Sequence, residues 1–432
     1  MILKYISIPE LNFSSSWKIG WEKIQKLSKF DKCMTIFWLL GPFIYLIERS
    51  PADIWLTFLG LCFLFKCFKN SNWYWLNQWW SKCVIIFWII AVFSSVISPD
   101  PEFSIGRALA WIRFPLYAAA AQVWLAKDKE IRFLMIISLL IGSIIMMVFI
   151  SFEFFYDPAY GFNPNPKGRL LGPYGDLVPG GYFGKVCLPL FCFSVALINS
   201  KKTFISILCI IFSILILSHT IMTGERGHVL ILFCSGIVSL IVWRFNFSKS
   251  LIMLVLISLV FFAYFNTYGS HLTSRFTNSF ISSVPFAFTK ENPYWGAWRS
   301  GIQQGLSTPI IGIGANGTRK TCEKLPLHWL PGKNYCGGHP HNFYIQLFAE
   351  TGLIGLFFGI LMFFSILKTC WDARNKKDPK LTEYIAFVIP LAVFFPIQNH
   401  GNFFGQWGNL FLWFGLALAI AENQKWQIKK LT

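Results

Sequence analysis

Four clusters of polar residues in a mostly apolar chain carry side chains that could do chemistry. The first is Thr223-Gly224-Glu225-Arg226-Gly227-His228. It forms a tight link between two apolar runs, so Arg226 must lie at a membrane surface, and two glycines let the backbone turn sharply there. A guanidinium is a planar fork of donors suited to phosphate oxygens. The other reading, a snorkelling anchor, is disfavoured by the flanking glycines and by Glu225. The second cluster, Gly168-Arg169-Leu170-Leu171-Gly172-Pro173-Tyr174-Gly175, runs on to Pro179-Gly180-Gly181. Such a loop either brings backbone N–H groups and a basic side chain to an anion or is an ordinary turn-rich connection. The third is Gly338-His339-Pro340-His341-Asn342-Phe343-Tyr344, leading directly into an apolar run. Asn342 suits a helix cap. The two imidazoles flank a proline and share no helical face, which argues against a metal pair. An imidazole titrates near neutrality and suits a general base. The fourth is Arg299, on the stretch 292–304 that reads as a short amphipathic helix. Its neighbours Lys290, Arg319, Lys320, Lys324 and Lys333 read as solvated charges. Glu350, Arg107 and Arg113 fall within apolar runs, where a charge is costly unless it faces a polar cavity or an interface.

These clusters need a scaffold, and composition says which kind. Of 432 residues, 55% are hydrophobic, 18% aromatic and 13% charged, with mean hydropathy +0.52. Soluble domains carry about 25% charged residues, so this chain cannot cover a water-facing surface, and disorder is excluded with it. Apolar runs predict twelve membrane helices, near 34–48, 54–68, 83–98, 105–126, 132–155, 182–199, 203–222, 227–243, 250–267, 343–368, 383–398 and 406–422. With the N-terminus inside, 24 of the 38 lysines and arginines fall on the cytoplasmic side, as the positive-inside rule requires. That bias accounts for most of the net charge of +18 and leaves no reason to invoke nucleic acid. Both termini are then cytoplasmic, and the four clusters face outward. No cleavable signal peptide is visible.

The expected organisation is a membrane part over 1–267, a large outer loop over 268–342, and a second membrane part with a cytoplasmic tail over 343–432. Most of the eleven cysteines sit in apolar runs as small hydrophobes. Cys322 and Cys336 lie in the large loop, where they either form a disulfide or remain as two thiols. No CxxC pair is present, so a thiolate zinc site is not expected.

The third cluster carries a resemblance. His341-Asn342, nine residues, Gly352, and then Gly355 resembles the signature of the O-antigen ligases. The longer string from His339 through Tyr344, Gln346, Glu350 and Gly352 to Gly355 resembles the wider O-antigen ligase and polymerase superfamily. Thr223 to Gly227 resembles its arginine–glycine element at the head of a membrane helix. The resemblance implies an all-α, GT-C-like membrane glycosyltransferase with about twelve spans and short helices in the large periplasmic loop. It would work at the periplasmic face of the bacterial inner membrane. The donor would be a glycan on undecaprenyl pyrophosphate and the acceptor a sugar of lipid A–core. Neither metal nor ATP is required, because the pyrophosphate is the leaving group. His341 matches the family's histidine and would position or deprotonate the acceptor, with His339 in reserve. Arg226, then Arg299, then Arg169 are the candidates to stabilise the departing pyrophosphate. Asn342, Tyr344 and Glu350 would help to bind or orient.

Two alternatives compete. O-antigen polymerases extend the glycan on the same carrier and often carry an arginine, ten residues, then glycine in each of two outer loops. Arg169 to Gly180 has that spacing, but Ile310 stands where Arg299 would need a glycine. One match of two, and one dominant loop before His341, favours a ligase. A lipid-linked glycan flippase or other transporter would keep its polar residues near the bilayer midplane, not clustered at the outer face.

Overall fold

The computed structural model describes residues 13–126, 128–156, 169–174, 179–200, 202–242, 247–267, 293–322, 338–374, 385–396 and 401–422. Apolar runs without an internal proline become continuous helices. They are α4 (Arg49–Lys69), α5 (Trp79–Val96), α8 (Lys129–Tyr156), α11 (Thr203–Met222) and α16 (Phe343–Arg374). At 1.5 Å per residue, the 28 residues of α8 extend about 42 Å, more than a bilayer core.

Proline divides three other runs. A proline ring inside a helix collides with the carbonyl four residues back. Pro115 would meet Trp111, and the chain breaks there into α6 (Pro101–Trp111) and α7 (Arg113–Trp124). Pro42 separates α2 (Lys29–Leu39) from α3 (Gly41–Ile47) with a 52° bend. Pro189 follows a 54° bend between the stretch Pro179–Val186 and α10 (Leu188–Leu197). That stretch begins as one turn, α9 (Pro179–Gly181), and continues as a π turn over Tyr182–Val186. The remaining helices are α1 (Phe13–Gln25), α12 (Arg226–Val242), α13 (Phe247–Thr267), α14 (Pro293–Ser307), α15 (Thr318–Thr321), α17 (Val388–Val393) and α18 (Gln406–Ala421).

This corrects the expected fold. Among the described residues, five helices are long and apolar enough to cross a membrane, or seven if each bent pair counts as one span. The molecule is a largely helical bundle without sheet among those residues, not a twelve-span GT-C-like array. The runs near 227–243 and 406–422 form helices of 17 and 16 residues. The run near 105–126 is two short helices. Of the run near 383–398, only the six residues of α17 and its flanks are described. Hydropathy measures how apolar a window is and ignores where the backbone must bend.

Several long apolar helices remain, as in a multi-pass membrane protein. Their outer faces are apolar too: Ile54, Phe68, Val148, Phe204, Phe357 and Phe364 are all exposed. In water so broad an apolar surface would aggregate; facing lipid it is at home. Inside, α16 packs along α5, and α7 lies between α4 and α18. Trp38 stacks on Tyr117 at 4.3 Å between ring centroids. The Trp55 indole donates to the Phe37 carbonyl at 2.8 Å, and the Tyr45 hydroxyl donates to the Leu410 carbonyl at 2.8 Å. The polar tips of Trp55 and Tyr45 thus find backbone partners inside the apolar bundle. Ion pairs tie distant elements together. Lys23 reaches Asp128 at 2.8 Å and Glu130 at 2.6 Å, and Arg132 reaches Glu422 at 2.9 Å. Partial burial alone would lower the Lys23 amine, but its hydrogen bonds to Asp128 and Glu130 outweigh this and leave it raised.

Candidate functional site

The polar clusters converge on one cavity of about 570 Å³. Arg169, Arg226, His339 and His341 all line it, although they come from three separate stretches of chain. Arg49, Arg107, Lys185, Glu225, His228 and Arg319 join them, with Asn402 from the segment leading into α18 and Gln406 and Trp407 from its first turn.

Local structure explains each placement. Arg226 is the first residue of α12, where unpaired N–H groups favour an anion. Gly224 turns the chain there with φ 73°. The link is clamped against Pro179–Val186, because a Cβ at Gly180 would lie 2.7 Å from that of Glu225 and a Cβ at Gly184 would collide with the His228 ring. His228 Nδ1 lies 2.8 Å from the Glu225 carboxylate. Arg169 sits on a short loop gripped by the buried carboxylate of Glu153. That carboxylate accepts from the Leu171 N–H at 2.8 Å and the Gly172 N–H at 2.6 Å.

The histidines are held by backbone geometry. His341 has φ 57°, in the left-handed region, where a side chain other than glycine is uncommon and strained. The His339 and His341 rings touch, with centroids 4.1 Å apart. Asn342 caps α16: its side-chain oxygen accepts from the Tyr344 N–H at 3.0 Å and the Ile345 N–H at 3.2 Å. Its amide donates to the Pro396 carbonyl at 2.9 Å. The Tyr344 hydroxyl donates to the Phe394 carbonyl at 2.5 Å. Both residues therefore fasten the histidine segment to the bundle and lie outside the cavity lining.

Glu350 also lies behind the wall. It is fully buried and accepts from the Asn316 N–H at 2.8 Å, the Thr318 hydroxyl at 2.6 Å and the Gln346 amide at 3.1 Å. Gln346 also donates to Asn402 at 2.8 Å, and Asn402 donates to Asn316 at 2.5 Å. This network fixes the turn that carries Arg319. At Gly352 α16 is interrupted, with φ 66° and ψ −168°. A Cβ there would overlap the Ile310 carbonyl. The signature glycine thus lets the 309–318 segment pass against the helix, and the Gly314 N–H donates to the Glu350 carbonyl at 2.9 Å.

Arg299 does not line the cavity. It is 1% exposed on α14, whose Gly301 lies so close to Pro340 that a Cβ would sit 2.6 Å from the proline ring. α14 therefore backs the histidine segment. Cys322 is disulfide-bonded, with the Ser300 hydroxyl 3.0 Å from its sulfur; Cys336 lies outside the described residues. Lys290, Lys324 and Lys333 lie outside them as well.

Sequence reasoning left Lys185 and Arg49 without a role and set Arg319 aside as solvated. Lys185 had a signal: a lone cation beside Gly184 in an apolar run. Arg319 had none, because only the fold brings it to the cavity.

A family model described as O-antigen ligase matches residues 208–360, roughly a third of the chain. The match supports membership of the O-antigen ligase and polymerase superfamily and, with it, a membrane enzyme of lipopolysaccharide biosynthesis. It contains Arg226, Arg299, Arg319, His339 and His341, and excludes Arg49, Arg107, Arg169 and Lys185. Comparison with curated proteins gives no match.

Proposed function

We propose that this protein is a glycosyltransferase of the O-antigen ligase type. It moves a glycan from undecaprenyl pyrophosphate to a sugar of lipid A–core at the periplasmic face of the inner membrane, with no metal and no ATP. The observation that carries this reading is the single cavity lined by Arg169, Arg226, His339 and His341. Its arginines suit a diphosphate and its histidines suit a hydroxyl, so leaving group and nucleophile have separate partners at one site.

In the proposed step the acceptor hydroxyl oxygen bonds to the anomeric carbon, and its proton passes to a ring nitrogen of His341. The bond from that carbon to the pyrophosphate oxygen breaks, and its electron pair leaves with the pyrophosphate. Arg226 and Arg169 meet the charge as it grows, where partial desolvation strengthens their effect. His339 orients the His341 ring. Arg299, Asn342, Tyr344 and Glu350 act as positioning residues. Displacement in one step inverts the anomeric configuration.

The test is reconstitution of the full chain in liposomes with undecaprenyl-pyrophosphate glycan, lipid A–core and EDTA. Expected are glycan on lipid A–core, free undecaprenyl pyrophosphate and an inverted linkage. R226Q and H341A should each lower transfer by about 100-fold or more at unchanged protein level. Longer glycan on the carrier without core would instead establish a polymerase. Movement of the donor across the bilayer with no new bond would establish a transporter. A retained configuration would overturn the single displacement.

A further inference from the structure

The cavity is more basic than one diphosphate requires. Arg49, Arg107, Arg169, Lys185, Arg226 and Arg319 line it, against Glu225 as its one carboxylate among the described residues. A doubly charged diphosphate would leave the lining strongly positive, and like charges held together without a counter-ion repel. The cations also differ in depth. Arg169, Lys185 and Arg226 are half-buried, whereas Arg49, Arg107 and Arg319 are exposed.

Arg107 and Arg319 are carried by α6 and α15, which supply none of the half-buried cations. The Arg107 guanidinium stacks on the Phe103 ring at 4.3 Å, and the Lys320 amine lies 5.3 Å from the same ring. Two cations thus face one aromatic side chain, and Arg319 is the chain neighbour of the second. Neither Arg107 nor Arg319 takes part in any ion pair among the described residues. Partial burial, and then the charge of Arg319, holds the Arg107 guanidinium below its ordinary value, with Glu350 opposing.

Resting on the transfer reading above, we propose that Arg107 and Arg319 form a second anion subsite, which binds a phosphate- or carboxylate-bearing group on the acceptor glycolipid. In a displacement, the acceptor must approach from the side away from the leaving group. The half-buried cations suit a leaving diphosphate, which gains from desolvation. The exposed pair suits a ligand that arrives from the aqueous side, is steered by charge and departs after each turnover.

The experiment uses the full chain in nanodiscs of phosphatidylcholine, whose headgroups bring no net charge. Binding of lipid A–core, and of the same glycolipid stripped of phosphate, is measured for the wild type and for R107Q/R319Q, alongside the KM for donor and acceptor. The wild type should bind the phosphorylated form about tenfold more tightly, and the double variant should bind both forms alike. Its KM for the phosphorylated acceptor should rise by the same factor. Equal binding of both forms by the wild type overturns the subsite, as does a matching rise in donor KM. A third overturning result is phosphate preference that persists in the variant while its recruitment of phosphatidylglycerol falls, which assigns the arginines to bilayer headgroups. R107Q and R319Q singly serve if the double variant does not fold. Phosphate-dependent binding without transfer would count against the transfer reading alone. Transfer without phosphate dependence would count against the second subsite alone.

Discussion

Glu225 is the residue whose charge runs against its surroundings. Within a basic cavity it lies 2.8 Å from His228 Nδ1, and a carboxylate there fixes which imidazole nitrogen carries the proton. Glu225→Gln keeps the size and removes the charge. If the pair contributes to the chemistry, kcat in the reconstituted assay should fall by about 10- to 100-fold while the melting temperature stays close to the wild type's. An unchanged kcat would make His228 a bystander. Arg226, His339 and His341 were legible in the sequence because polar residues at the edge of an apolar run need a reason to be there. The partnership of Glu225 with His228 was half legible, since they are three residues apart, but only the helix start at Arg226 turns that spacing into contact. Arg107 and Arg319 are separated by more than two hundred positions, and no local pattern announces that they share a cavity.

Glycine and proline decide the shape of the elements that hold these side chains. Gly352 combines φ 66° with ψ −168°, a region open essentially to glycine alone. Its missing Cβ also makes room for the Ile310 carbonyl. Gly352→Ala should cost about 3 kcal/mol or more, seen as a lowered thermal midpoint and reduced protein level. Gly106→Ala is the control, because a Cβ at Gly106 meets nothing within 4 Å. If the two substitutions behave alike, the break at Gly352 does not matter to the fold. Proline also explains part of the corrected span count, and the shortness of α12 and α18 explains more of it. Apolar runs are easy to read, but Pro42, Pro115 and Pro189 bend or cut three of them, and a hydropathy window passes over a proline without registering the carbonyl it displaces.

For the molecule as a whole, the arrangement is an apolar bundle with six cations gathered at one cavity. Salt should therefore affect substrates more than stability. Exposed charges are screened within about 8 Å at physiological ionic strength, and half-buried ones much less. Raising sodium chloride from about 0.05 to 0.5 M should thus increase the acceptor KM more steeply than the donor KM in one liposome preparation. Equal slopes would mean that both substrates depend on cations at the same depth. The overall class of the molecule was visible in composition, and the grouping of its polar residues in the order of the sequence. The cavity itself was not, because it depends on how α6, α9, α12, α15, α16 and α18 meet.

The left-handed backbone at His341 opens a route to chemical complementation. Replacing this residue with alanine removes the imidazole but keeps a side chain where the backbone disfavours one. Glycine removes the imidazole and relieves the conformational tension as well. H341G should therefore be at least as stable as H341A while leaving a hole shaped for a free base. Added imidazole should then restore part of the lost transfer to H341G and not to a variant that lacks Arg226. Should imidazole leave H341G silent, the histidine acts by holding the acceptor rather than by taking its proton.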